Sequence, residues 1–184
     1  RTYSPPNLVV FEDYVSTGCG QATSQTGPFY CSADQRVYID LDFFKELERQ
    51  FKAPGDFAQA YVISHEVGHH VQNLLGTLQY VNRQQARLNE ADANALSVAL
   101  ELQADCYAGV WAAKNKDRLE PGDMESGLNA AHQIGDDTLM KNAGRRPSPE
   151  AFTHGTSAQR MEWLRKGMET GNEDACDTFA DLRR

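Results

Sequence analysis

Residues Ala60 to Gln72 read AYVISHEVGHHVQ, which places His65, Glu66 and His69 in the order His-Glu-x-x-His. On an α-helix, residues four apart share a face, about 40° apart around the axis. Two imidazoles so placed can bind one metal ion, and a glutamate one step round can reach a water on that metal. The chain must therefore fold so that one face of this helix stays open and another is buried. Pro54-Gly55-Asp56 supplies the helix entry, with Asp56 as a possible N-cap, and Gly76 a stop. Ile63, Val67, Val71 and Leu74 recur at helical spacing and predict an apolar anchoring stripe opposite the histidines. Gly68, beside the histidine face, leaves room for another element to approach.

A catalytic zinc takes three protein ligands and a water. No third histidine follows in the pattern H-E-x-x-H-x-x-G-x-x-H, so the remaining ligand must come from elsewhere in the chain. Asn89 to Lys116 reads as one long, largely buried helix, with Leu96, Ala99, Leu100, Leu102, Cys106, Val110 and Trp111 around much of its circumference. Within it, ELQAD offers Glu101 and, one turn on, Asp105. Two carboxylates on a buried apolar helix are costly unless paired or metal-bound. Glu101 as ligand, with Asp105 accepting from a ligand histidine, would resolve both costs. The alternative is a surface stripe beside Val98, Ala108 and Gly109, with Glu101 in water.

The remaining sequence predicts an α+β, mostly helical fold, with a small hairpin or sheet beside the histidine helix. Residues 1–28 read as a first strand at Leu8–Phe11 followed by loop. Phe29-Tyr30-Cys31 and Val37-Tyr38-Ile39 flank Ser32-Ala33-Asp34-Gln35 as a hairpin. It either covers the core or lies at the metal as an edge that holds a peptide by strand addition. Leu41–Lys52 is a short amphipathic helix, and 77–88 is polar and ambiguous. Pro121-Gly122 opens a helix to about Asp136, Pro147-Ser148-Pro149 breaks the chain, and Thr156–Gly171 is a last helix carrying Trp163. No repeat or boundary interrupts the 184 residues, which read as one domain.

Charge narrows the function. A net charge of −8 and a pI near 5.1 lack the basic footprint of a nucleic-acid binder. A mean hydropathy of −0.60 and no long apolar run predict no transmembrane helix here. The chain opens on Arg1 rather than Met, so a removed upstream signal or anchor is expected, and any membrane association would run through it. Four cysteines without C-x-x-C spacing fit two disulfides and an oxidising compartment, or else four buried thiols. Of three connectivities, adjacency suggests Cys19–Cys31 with Cys106–Cys176.

A hydrolytic site also benefits from a donor aimed at the developing oxyanion. His154 in THGTSAQR is the first candidate, with Tyr38 and Tyr61 behind it; alternatively His154 is a helix-entry residue beside Thr156 and Ser157. His70 points about 100° away from His69 and reads as a buried or supporting histidine. His132 carries no signal. Asp136-Asp137 reads as a helix-end turn rather than a calcium loop.

HEVGHHVQ, SVALELQADCYAGVW, GPFYCSADQRVYID, IGDD and HGTSAQR together resemble the bacterial neutral zinc metallopeptidase family over about residues 7–180. The resemblance implies a gluzincin-like member of the zincins, with zinc bound by His65, His69 and Glu101 and with Glu66 as the catalytic residue. It also implies export, often with an N-terminal anchor, and an extracytoplasmic location. The expected activity is hydrolysis of peptide or protein substrates by a zinc-activated water with Glu66 as general base. The rivals are a zinc hydrolase acting on non-peptide substrates and a non-enzymatic module with structural zinc. The sequence carries no signal for oligomeric state.

Overall fold

A computed structural model describes residues 3–51 and 56–183; Lys52 and the expected helix entry at Pro54-Gly55 lie outside that range. Strands come first and helices after. β1 (Asn7–Phe11), β5 (Arg36–Asp40) and β4 (Phe29–Cys31) form one sheet in the order β1-β5-β4, with β1 parallel and β4 antiparallel to β5. The β4–β5 hairpin turns where Gln35 takes a positive φ of 57°. β2 (Tyr14–Thr17) and β3 (Gly20–Thr23) make a separate hairpin inside the segment expected to be loop. Its residues are mostly polar, so no period-2 apolar pattern announces it. Backbone pairing and the Cys19–Cys31 disulfide hold it.

The helices are α1 (Leu41–Phe51), α2 (Asp56–Leu75), α3 (Thr77–Gln85), α4 (Glu90–Lys114), α5 (Asp123–Gln133), α6 (Asp136–Asn142) and α7 (Ser157–Thr170). The α+β, mostly helical expectation therefore holds. Gly76, at φ 85°, ends α2 and caps α3, which occupies the stretch that was ambiguous. Asn89 caps α4 by accepting the Asp92 amide at 3.0 Å. Thr156 and Gln159 cap α7 reciprocally, and Gly171 closes it in the left-handed region.

The core lies where α2, α4, α5 and α7 meet β5, around Val37, Ile39, Phe57, Ala58, Tyr61 and Leu164. Small residues bring these helices close. A β-carbon on Gly68 would lie 3.1 Å from the Ala104 Cα of α4. One on Gly109 would strike the Leu164 carbonyl of α7, and one on Gly167 the Cys106 carbonyl of α4. The second disulfide, Cys106–Cys176, ties α4 to the segment after α7, so both cysteine pairs follow adjacency in sequence.

Three expectations need correction. Ile63, Val67, Val71 and Leu74 are only half-buried; α2 buries its Tyr61, His65, Gly68 and Gln72 side more fully, because α4 packs there. Trp111 is 41 % exposed and does not belong to the buried side of α4. The helix opened at Gly122 stops at Gln133, and α6 starts afresh at Asp136. Gly135 is extended (ψ 143°) between them, and a β-carbon there would strike the Ser157 backbone at the start of α7.

Candidate metal centre

α2 presents His65 and His69 one turn apart, and α4 brings Glu101 across to them. The Glu101 carboxylate lies 3.1 Å from His65 Nε2 through Oε2 and 3.3 Å from His69 Nε2 through Oε1. One ligand atom from each residue falls within 4.8 Å of the others. Ligand atoms at the corners of a zinc tetrahedron stand roughly 3.4 Å apart, given bonds of about 2.1 Å. Spacing and donor chemistry both fit that ion. Glu66, the next residue of α2, is buried and lines the same cleft.

The two imidazoles are held from behind in different ways. His65 Nδ1 donates to Asp105 Oδ1 at 2.8 Å. Asp105 is fully buried, accepts the Tyr61 hydroxyl at 2.6 Å, and is gripped by Arg160 through Nε (2.9 Å) and Nη2 (3.0 Å). His69 Nδ1 instead meets the neutral side chain of Gln72 at 2.8 Å. Arg160 escaped the sequence reading. Its signal is position: Ser157, Arg160, Leu164, Gly167 and Met168 form the buried stripe of α7, and a cation there requires an anion across the interface.

Charge follows this packing. Burial opposes ionisation of Asp105, yet Arg160 and His65 hold its carboxyl at about 2. Burial likewise opposes a charged His65, but Asp105 and Glu101 outweigh it and raise the imidazole to about 10. His69 is raised too, burial again being outweighed by Glu101. Glu101 lies well below the usual carboxylate range, because the two histidines overcome its burial. Glu66 moves upward, since its burial is only partly offset by His65 and His69. A metal ligand must be a neutral imidazole, so a cation entering here exchanges for protons.

His154 lies across the cleft, in a loop fixed by Asp136. One carboxylate oxygen of Asp136 accepts the amides of Thr153, His154 and Gly155 at 2.7–3.1 Å, and the other meets His154 Nδ1 at 3.1 Å. The Asp136 hydrogen bond raises the His154 pKa against partial burial. Asp136-Asp137 thus begins α6, with Asp137 accepting the Ser157 amide at 2.7 Å, and is not a turn ending the preceding helix. Thr156 and Gln159 do the capping, which leaves the His154 side chain free of that duty.

The remaining candidates are held in other contacts, Tyr61 at the cleft wall. Tyr38 is buried under the strands and donates to Asp34 at 2.6 Å, and Tyr61 is committed to Asp105. His70 is buried and bridges Tyr30 and the Ser4 carbonyl, tying the strand region to α2. His132 is exposed, and its carbonyl accepts the Ser157 hydroxyl and the Gly135 amide. The cleft encloses about 540 Å³ between Phe29 and Tyr30 of β4, Phe43, Val62, Leu100 and Leu139.

A family described as "Putative neutral zinc metallopeptidase" matches residues 1–179. The chain is 50 % identical over 181 residues to "Uncharacterized protein YpfJ" of Escherichia coli K12, covering 97 % of this chain and 63 % of that protein. An uncharacterised protein of Mycobacterium tuberculosis H37Rv is 44 % identical over 195 residues, covering 98 % of this chain and 65 % of its own length. The chain therefore spans just under two thirds of the length of these relatives. No solved structure matches it.

Proposed function

Because the chain belongs to the putative neutral zinc metallopeptidase family, we propose that it is a zinc-dependent peptidase, with His65, His69 and Glu101 holding the metal. The observation that carries this reading is the convergence of a carboxylate from α4 on the imidazole pair of α2, beside a buried Glu66 in an open cleft. Zinc held there supplies Lewis acidity, polarising a scissile carbonyl and bringing the pKa of water to about 7.

The chain's own groups supply the rest. Glu66, whose carboxyl burial moves upward, takes the proton from the attacking water and passes it to the leaving nitrogen. Asp105 and Gln72 fix the two ring orientations. His154 Nδ1 faces the Asp136 carboxylate, so Nε2 can donate to an oxyanion only in the imidazolium form, which Asp136 favours. β4 is an edge strand whose Phe29 and Tyr30 wall the cleft, and a substrate backbone can extend that sheet while its side chains rest on the apolar walls. The two disulfides support an extracytoplasmic location.

Digestion of a mixed peptide library by the zinc-loaded chain and its Glu66→Gln variant tests the reading. Equal zinc content and a fall in kcat of roughly 100- to 10,000-fold are expected. Full activity in the variant, or no cleavage by zinc-loaded wild type, would overturn it. In Glu101→Ala the bound zinc should be lost.

A further inference from the structure

Behind His69 a polar chain runs from Gln72 through Gln103 to the segment after α7. Gln72 is fully buried, and its Nε2 donates to the Leu100 carbonyl at 2.7 Å and to Gln103 Oε1 at 3.1 Å. Gln103, also buried, donates from its own Nε2 to the carbonyl of Cys176 at 3.0 Å. The two backbone groups that anchor this chain, the carbonyls of Leu100 and Cys176, only accept. Cys176 therefore dictates which end of the Gln103 amide faces it, and turns the Gln103 oxygen toward Gln72. Leu100 and that oxygen together fix the Gln72 amino group, so the Gln72 oxygen must face His69 Nδ1 at 2.8 Å. An oxygen there requires Nδ1 to carry the hydrogen, so in the neutral ring that a metal needs, Nε2, beside Glu101, is the nitrogen with the lone pair.

We propose that the segment around Cys176 sets the tautomer of His69 through Gln103 and Gln72, and thereby tunes zinc affinity. The inference rests on the zinc reading above and adds to it an anchor outside the cleft. The disulfide to Cys106 keeps the Cys176 carbonyl against α4, the helix that also carries Gln103 and Glu101. Gln72 and Gln103 are positioning residues; neither lines the cleft.

The test measures zinc affinity by chelator competition, next to the stability of the metal-free protein. Gln72→Met keeps the volume and removes the acceptor, and zinc should bind about 10- to 100-fold more weakly. Gln72→Glu keeps the acceptor for Nδ1–H but loses both donated bonds, so affinity should stay near wild type while the metal-free protein unfolds more readily. Gln103→Met and the pair Cys106→Ala/Cys176→Ala leave the direct contact in place, and their affinity loss should fall toward the tenfold end. By NMR, the Nδ1 hydrogen of His69 should resist exchange in wild type and exchange freely in Gln72→Met.

An affinity within twofold of wild type in a folded Gln72→Met, or affinities that track stability across all four variants, overturns the proposal. Wild type that binds no zinc overturns it together with the peptidase reading, whereas zinc-binding wild type beside an unaffected Gln72→Met overturns the relay alone.

Discussion

The helical body and the strand region that precedes it are built to different tolerances. In the body, α4 and α7 touch backbone to backbone at Gly109 and Gly167, and a buried ion pair, Asp105 with Arg160, spans the contact. In the strand region β5 is buried against the helices, but beyond that contact only a small cluster of Phe11, Cys31 and Tyr38 and a disulfide hold the strands, and Leu8, Val10 and Tyr14 are each about half exposed. All three candidate zinc ligands, and the groups that hold them, come from the body. The strand region contributes only Phe29, Tyr30 and their neighbours along one wall of the cleft. Groups that need fixed distances thus sit where displacement is costly, and the surface facing a variable ligand sits where change is cheap.

The sharpest way to break this contrast is to remove the cation beneath the site. Arg160→Met leaves Asp105 buried without its guanidinium, and stability should fall by about 3–5 kcal/mol, read as a lower urea midpoint in the metal-free protein. The pH dependence carries a sign. The folded Asp105 pKa of about 2 lies below its ordinary 3.8, so the pair stabilises above about pH 4 and that contribution is lost as pH falls toward 2. In the variant the carboxyl loses its largest support and keeps only His65 and Tyr61, so its deficit should be largest at neutral pH and narrow in acid. A deficit under about 1 kcal/mol at pH 7 would mean that Asp105 does not depend on Arg160.

Next in size is the helix contact itself. Gly167→Ala forces α7 off α4 at the Cys106 carbonyl, one residue from Asp105. Overpacking of this kind costs about 1–3 kcal/mol. Because α4 carries Glu101, zinc affinity should fall in step. Unfolding and chelator competition together decide it, and a stability loss without any affinity loss would uncouple the contact from the site.

What the sequence made legible follows the same divide. α2 and α4 could be placed because caps, glycine stops and apolar residues are local signals, and Glu101 stood out as a carboxylate on a helix that had to be buried. Arg160 and Gln103 were not legible as partners, since which polar groups meet depends on which helices cross. Trp111 misled for the related reason that an apolar residue on a long helix does not say which side stays uncovered. The β2–β3 hairpin was missed because Ser16, Thr17, Gly20 and Gln21 carry no alternation.

For the strand region the expected effects are smaller. Cys19→Ala/Cys31→Ala opens a clip across 12 residues. The loss should sit at the low end of the disulfide range, about 2 kcal/mol, because the hairpin it holds packs little against the helices. Amide exchange should quicken in residues 14–34 while zinc affinity stays within twofold of wild type. A large affinity loss would make the strand region part of the metal scaffold and erase the contrast.

The smallest effect belongs to β1. Its partner strand β5 buries Val37 and Ile39 on the face that Leu8 and Val10 share by register, yet those two remain 52 % exposed at the sheet edge. Half of their surface already meets water, so exchanging both for threonine, whose β-branch a strand favours, should change unfolding stability by no more than about 0.5 kcal/mol. Urea unfolding of Leu8→Thr/Val10→Thr measures this directly. A loss above about 2 kcal/mol would show that β1 carries core energy comparable to that of a buried side chain, and the two regions would then differ in shape but not in tolerance.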